Sequence, residues 1–248
     1  MATVAVAVAT PQIRKSARSS RAMSFFLSHE IGLFSEIAAN PAVLECTEIM
    51  EPDQKAKHFP VILITGTPGS GKTTHAQLLV QESPIPLQYV NVGDLVKDKG
   101  LHEGYDEEWQ SYIVDEDKLL DELEPTASAG GLILDWHTCD IFPERWIDLV
   151  VVLRCDHTQL WERLEQRNYP INKIQENNES EIMQSVLDEA RKSYDHGIIV
   201  ELRSETTDDL ENNVERIVRW ILEWRSNHGF KRNPEETIGM NNKKSQES

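Results

Sequence analysis

Residues 61–79 read "VILITGTPGSGKTTHAQLL". A short apolar, β-branched run meets a loop containing Gly66, Gly69 and Gly71, and the loop runs into Lys72, Thr73, Thr74 and helix-forming residues. The run predicts a buried strand and residues 72–82 predict a helix. Between them the spacing Gly66-x-x-x-x-Gly71-Lys72-Thr73 matches the phosphate-binding loop in full. Its logic is backbone geometry. Glycines let the chain curl so that several N–H groups converge on phosphate oxygens, and the helix from Lys72 adds its positive end. The expected ligand is a nucleoside triphosphate held by Gly66, Gly69, Ser70, Gly71, Lys72, Thr73 and Thr74. Lys72 would reach the β- and γ-phosphates, and the Thr73 hydroxyl would face Mg²⁺.

Working outward, strand and helix signals alternate. "LQYVNV" (87–92), "GGLILDWH" (130–137), "IDLVVVLRC" (147–155) and "GIIVELR" (197–203) read as four further strands. Helical patterns cover 93–99, 115–124, 157–167, 179–195 and 208–228, the last with Val214, Ile217, Val218, Ile221 and Trp224 at helical spacing. Five strands separated by helices predict an α/β fold, a P-loop NTPase whose parallel five-stranded sheet carries helices on both faces. Asp135 ends the third strand, where a carboxylate holds Mg²⁺ directly or through water. His137 follows two positions later, on the same face by strand alternation, and is read as either catalytic or orienting. The guanine-reading "NKxD" is absent, and Trp136 stands where many motor ATPases place an acid.

The whole chain sets further bounds. It has 248 residues and a formal net charge of −17. That field repels nucleic-acid phosphates and favours a basic protein partner. There is no run of eighteen apolar residues, so no membrane span is expected. Cys46, Cys139 and Cys155 are far apart and odd in number, which reads as buried, inert thiols. Residues 1–58 form an N-terminal extension. Its first 29 residues are rich in Ala, Ser and Arg and lack acids, which fits either an organelle transit peptide or a disordered arm. The core domain is placed at 59–228 and a disordered polar tail at 229–248.

The segments "GTPGSGKTT", "VNVGDL", "EGYDEEW", "GGLILDWHTCDIFPERW" and "LENNVERIVRWI" resemble the adenylate kinase isoenzyme 6 family, over about residues 59–228. The resemblance implies a nucleoside monophosphate kinase-like protein with a short lid. It implies transfer of a phosphoryl group from ATP to AMP, with ATPase activity alongside. Gly93 and Asp94 match the start of the monophosphate-binding segment. Arg145, in "FPERW", resembles the arginine with which adenylate kinases grip the monophosphate. Arg167 matches the lid arginine that reaches ATP, since a guanidinium forks onto two oxygens. The catalytic set is then Lys72, Asp135, His137 and Arg167, with Thr73 and Asp135 at Mg²⁺. A monomer is expected, and the resemblance also implies a nuclear and cytoplasmic location, a basic small-subunit ribosomal protein partner and a role in small ribosomal subunit maturation. A transit peptide in residues 1–29 would instead imply a chloroplast or mitochondrion. Two departures stand out. The lid has no cysteine quartet, and Lys97 stands where many adenylate kinases place an arginine. "EGYDEEW" also reads as a solvated loop.

Overall fold

The computed structural model describes residues 57–107 and 111–228. The N-terminal extension to residue 56, Cys46, Glu108, Trp109 and the tail from 229 lie outside the described residues. Strand β1 (Val61–Gly66) is buried along its whole length and sits at the centre of a sheet. β5 (Leu132–Asp135) pairs on one side of it and β6 (Leu149–Arg154) on the other. β2 (Gln88–Asn91) flanks β5, and β7 (Ile199–Arg203) flanks β6. All four pairings are parallel, in the order β2-β5-β1-β6-β7.

Alternation along each strand feeds two cores. Val61, Leu63, Leu132, Leu134, Val150 and Val152 join one face. There they meet Val92 and Val96 of α2 (Val92–Lys99), Leu119 and Leu123 of α3 (Glu116–Ala129), and Leu187 of α6 (Ser185–Ser193). Ile62, Ile64, Ile133, Val151 and Leu153 join the other. They pack on Leu79 of α1 (Lys72–Glu82) and on Ile217 and Ile221 of α7 (Thr207–Asn227). Strands buried on both faces carry continuous apolar runs, which is why they were easy to recognise. Two further helices, α4 (His157–Gln166) and α5 (Ile171–Ile182), share a small third cluster built on Leu160, Leu164 and Ile174. No helix among the described residues is long and apolar enough to cross a membrane. Cys139 and Cys155 are buried, and burial raises both thiols, Cys155 to about 11.

The structure departs from the expectation in three places. β3 (His102–Asp106) and β4 (Ser111–Val114) form a separate antiparallel hairpin where a loop was an alternative reading. Its alternation was hidden because both faces carry polar residues and neither is fully buried. α3 runs through Pro125, whose side chain is exposed, so the carbonyl that loses its donor can face water. The helix expected at 179–195 is two helices. Gln184, with φ 58, breaks α5 from α6, and α5 already begins at Ile171, ahead of the expected start at 179.

Candidate functional site

Parallel sheets bind ligands beyond the C-terminal strand ends, where the strand order reverses. Here β5 and β6 diverge on either side of β1, and the loop after β1 lies at that point. Gly66 has φ 145, and a Cβ there would meet the Leu153 carbonyl at 2.6 Å. Gly69 has φ 94 and is pressed against Leu160. Side chains at these two positions would unwind the curl. Arg163 donates to Gly69 O at 3.2 Å, and Ser204 Oγ donates to Ser70 O at 2.6 Å. The loop is thus braced from behind, while α1 starts at Lys72 with no side-chain cap at Gly71. First-turn N–H groups left without a cap are available to an anion.

Lys72 Nζ donates to Gly66 O at 2.7 Å and to Thr67 O at 3.2 Å. Burial lowers its pKa to about 8, partly offset by Asp135, with Arg167 adding repulsion. Asp135 is 3% exposed. Three donors converge on its Oδ2: Thr73 Oγ1 at 2.7 Å, Tyr89 OH at 3.0 Å and Asn91 Nδ2 at 3.1 Å. Asn91 stands opposite Asp135 in the β2–β5 register, and its Oδ1 also caps α2 by accepting from Asp94 N. Burial first, then Asp135, raises the Tyr89 phenol to about 12, so it stays a donor.

His137 lies just past β5, in a bend rather than on the strand, so strand alternation does not set its direction. The Trp136 and His137 rings touch, with centroids 4.1 Å apart. Burial, then the positive charges of Lys72 and Lys173, lowers its pKa to about 3, so the ring is neutral at physiological pH. A cavity of about 690 Å³ is lined by the phosphate loop, Thr73, Thr74, Asp135 and His137, by Arg167 and Tyr169 beyond α4, and by Asn91, Gly93, Asp94 and Lys97.

Comparison with known proteins bears on what this cavity does. The AAA domain family model matches residues 62–184. The adenylate kinase isoenzyme 6 homolog of Schizosaccharomyces pombe is 54% identical over 172 residues, covering 69% of this chain and 97% of that protein. This chain belongs to the adenylate kinase isoenzyme 6 family. The homolog FAP7 of Saccharomyces cerevisiae is 49% identical, covering 69% of this chain and 87% of its own. The Dictyostelium discoideum homolog is 50% identical, covering 68% and 95%. Among solved structures, shikimate kinases from Bacteroides thetaiotaomicron and Acinetobacter baumannii resemble the chain. Each has a TM-score of 0.45, at 14% and 18% identity, covering 65% and 66% of this chain and 98% and 94% of theirs.

For a member of the adenylate kinase isoenzyme 6 family, the cavity collects most of the expected residues. Gly69, Gly71, Lys72, Thr73, Thr74, Gly93, Asp94, Asp135, His137 and Arg167 all line it. Arg145 is not brought to this cavity. It lies in a short 3-10 turn (Glu144–Trp146), pairs with Glu124 at 3.2 Å, is 58% exposed, and does not line the cavity. Its guanidinium is drawn to Glu124 and to the Trp146 face at 5.9 Å. Lys97 lines the cavity instead. Arg163 spends its donors on the carbonyls of Gly69, Ser204 and Glu205. Tyr89 and Asn91 were missed, although their i, i+2 spacing on a strand beside Asp135 was a usable signal. The Thr73 hydroxyl and Asp135 carboxylate are adjacent hard oxygens and fit Mg²⁺, which takes one or two protein oxygens beside phosphates and water.

Proposed function

We propose that this chain is an Mg²⁺-dependent adenylate kinase that converts ATP and AMP to two ADP, with ATP hydrolysis alongside. The observation that carries this reading is one cavity lined both by a phosphate loop and by Gly93, Asp94 and Lys97. Gly66, Gly69, Ser70, Gly71, Lys72, Thr73, Thr74 and Arg167 bind ATP, and α2 presents Gly93, Asp94 and Lys97 to AMP. Phosphoryl transfer needs alignment and charge neutralisation more than a protein nucleophile. Lys72 follows the migrating group, and Arg167 forks onto its oxygens. Thr73 and Asp135 would hold Mg²⁺, which would supply charge neutralisation of the phosphates. Tyr89 and Asn91 hold the Asp135 carboxylate in place. The neutral His137 imidazole accepts from or donates to a water near the transferred phosphate, and so serves hydrolysis.

A second reading has a specific basis. Arg167 is exposed and Arg145 is turned away, which leaves few clamps to exclude water. The net charge of −17 suits a basic small-subunit ribosomal protein. On that reading the chain is an ATP-switched assembly factor in small ribosomal subunit maturation, in nucleus and cytoplasm, with residues 59–228 as its catalytic domain. ADP formation should be measured with ATP alone, then with AMP, dAMP and CMP. Strong dependence on a monophosphate supports the kinase. Hydrolysis unaffected by any monophosphate but raised by a basic ribosomal protein supports the second reading.

A further inference from the structure

α5 buries Lys173, Asn177, Asn178 and Glu181, and the first, second and last of these lie one turn apart. A helix on a globular core usually turns apolar groups inward, so a buried polar stripe calls for specific partners. Those of Glu181 are well defined. Its Oε2 accepts from Thr67 Oγ1 at 2.5 Å. Its Oε1 accepts from Arg154 Nε at 2.6 Å and from Cys155 N at 3.2 Å. Arg154 also donates to the main-chain oxygen of Glu181 at 2.9 Å. The carboxylate is therefore fixed at the end of β6 and aimed at one residue of the phosphate loop.

That residue matters to the loop. The Thr67 carbonyl accepts from Lys72 Nζ and from Ser70 N. Thr67 itself is 1% exposed. Arg163 and Ser204 brace the loop at Gly69 and Ser70, and the Thr67–Glu181 bond braces it at its start. We infer that Glu181 is a positioning residue for the donor nucleotide: through Thr67 it clamps the phosphate loop in its binding form and ties that loop to helix α5. This rests on the donor-site reading above. A glycine-rich loop without its pins samples other curls. Apparent affinity then falls by the fraction of time the loop is competent.

The test uses the full chain with Thr67→Val, Thr67→Ser and Glu181→Gln. Thr67→Val removes the hydroxyl and keeps the shape. Glu181→Gln puts an amide donor where the carboxylate accepts. Binding of a fluorescent ATP analogue, KM for ATP and for AMP, kcat and melting temperature are measured on each. Thr67→Val should weaken ATP binding about tenfold, the factor one charge-assisted hydrogen bond is worth. KM for ATP should rise in parallel while KM for AMP stays near the parent's. Thr67→Ser should restore the affinity, and adding Glu181→Gln to Thr67→Val should cost little more. Folded Thr67→Val and Glu181→Gln proteins with the parent's ATP affinity, whatever their melting temperatures, would overturn this inference alone. A parent that binds no ATP would overturn it together with the donor-site reading.

Discussion

Replacing Lys72 by alanine removes the one cation that the loop itself supplies, and the structure separates its effect on catalysis from its effect on stability. The ammonium donates to the Gly66 and Thr67 carbonyls, and each such bond contributes about 1 kcal/mol net. Against this, burial holds the lysine at about 8 instead of 10.5. That shift represents about 3 kcal/mol of strain at neutral pH, less the share that solvent screens at a partly exposed group. The two effects nearly cancel, so the melting temperature should move by no more than a few degrees. Catalysis has no such compensation. A preorganised charge on the migrating phosphoryl group is worth about 3 kcal/mol or more, at least a hundredfold in kcat/KM. The assay is steady-state ADP formation, with and without AMP, beside calorimetry on the same preparation. Activity within threefold of the parent in a folded variant would refute the assignment of the loop. Loss of activity only in proportion to loss of fold would do the same.

His137→Gly should lower hydrolysis at least tenfold while ATP affinity stays within about twofold, because Lys72 and the loop carry binding; unchanged hydrolysis in a folded variant would remove His137 from the mechanism. Because burial keeps His75 and His137 below the ordinary 6.5, the unfolded chain takes up protons that the folded chain refuses. Stability should therefore fall as pH drops below about 6.5, and for His137 continue to fall toward about 3, as read by urea unfolding at stepped pH; a flat profile would contradict the buried, neutral imidazoles. Lys97→Ala should raise KM for AMP several-fold and Arg145→Ala should change it less than twofold, since Arg145 pairs with Glu124 outside the cavity; the reverse order would restore Arg145 to the acceptor site. A chain starting at Lys57 should keep full activity, whereas one starting at His58 should lose about 1 kcal/mol by urea unfolding. Lys57 donates to Trp146 O at 2.6 Å and pairs with Asp148 at 3.2 Å, and equal stability of the two would show that contact to be idle.

Much of this arrangement was legible in the sequence because single local rules decide it. The loop is set by glycine spacing, the sheet by β-branched runs, and Asp135 by its place at a strand end. α7 announces its start with Thr206 and Asp209, a reciprocal capping pair. What stayed hidden depends on neighbours distant in sequence. The hairpin β3–β4 carries little apolar signal: β3 is mostly polar, and in β4 the core-facing Tyr112 and Val114 flank an exposed Ile113. The first turns of α5 gave no helical signal because much of what the helix buries is polar, and the partners of Glu181 come from the phosphate loop and β6. The turning away of Arg145 follows from Glu124, 21 residues earlier, which no local pattern reveals.

The central claim is the destination of the phosphate, and γ-labelled ATP tests it most directly. With AMP present, the account predicts that label leaves ATP and appears in the β-phosphate of ADP made from AMP. Two ADP should then form per ATP consumed, and inorganic phosphate should remain the minor labelled product. Label appearing only in inorganic phosphate, with one ADP per ATP and no response to AMP, would contradict it.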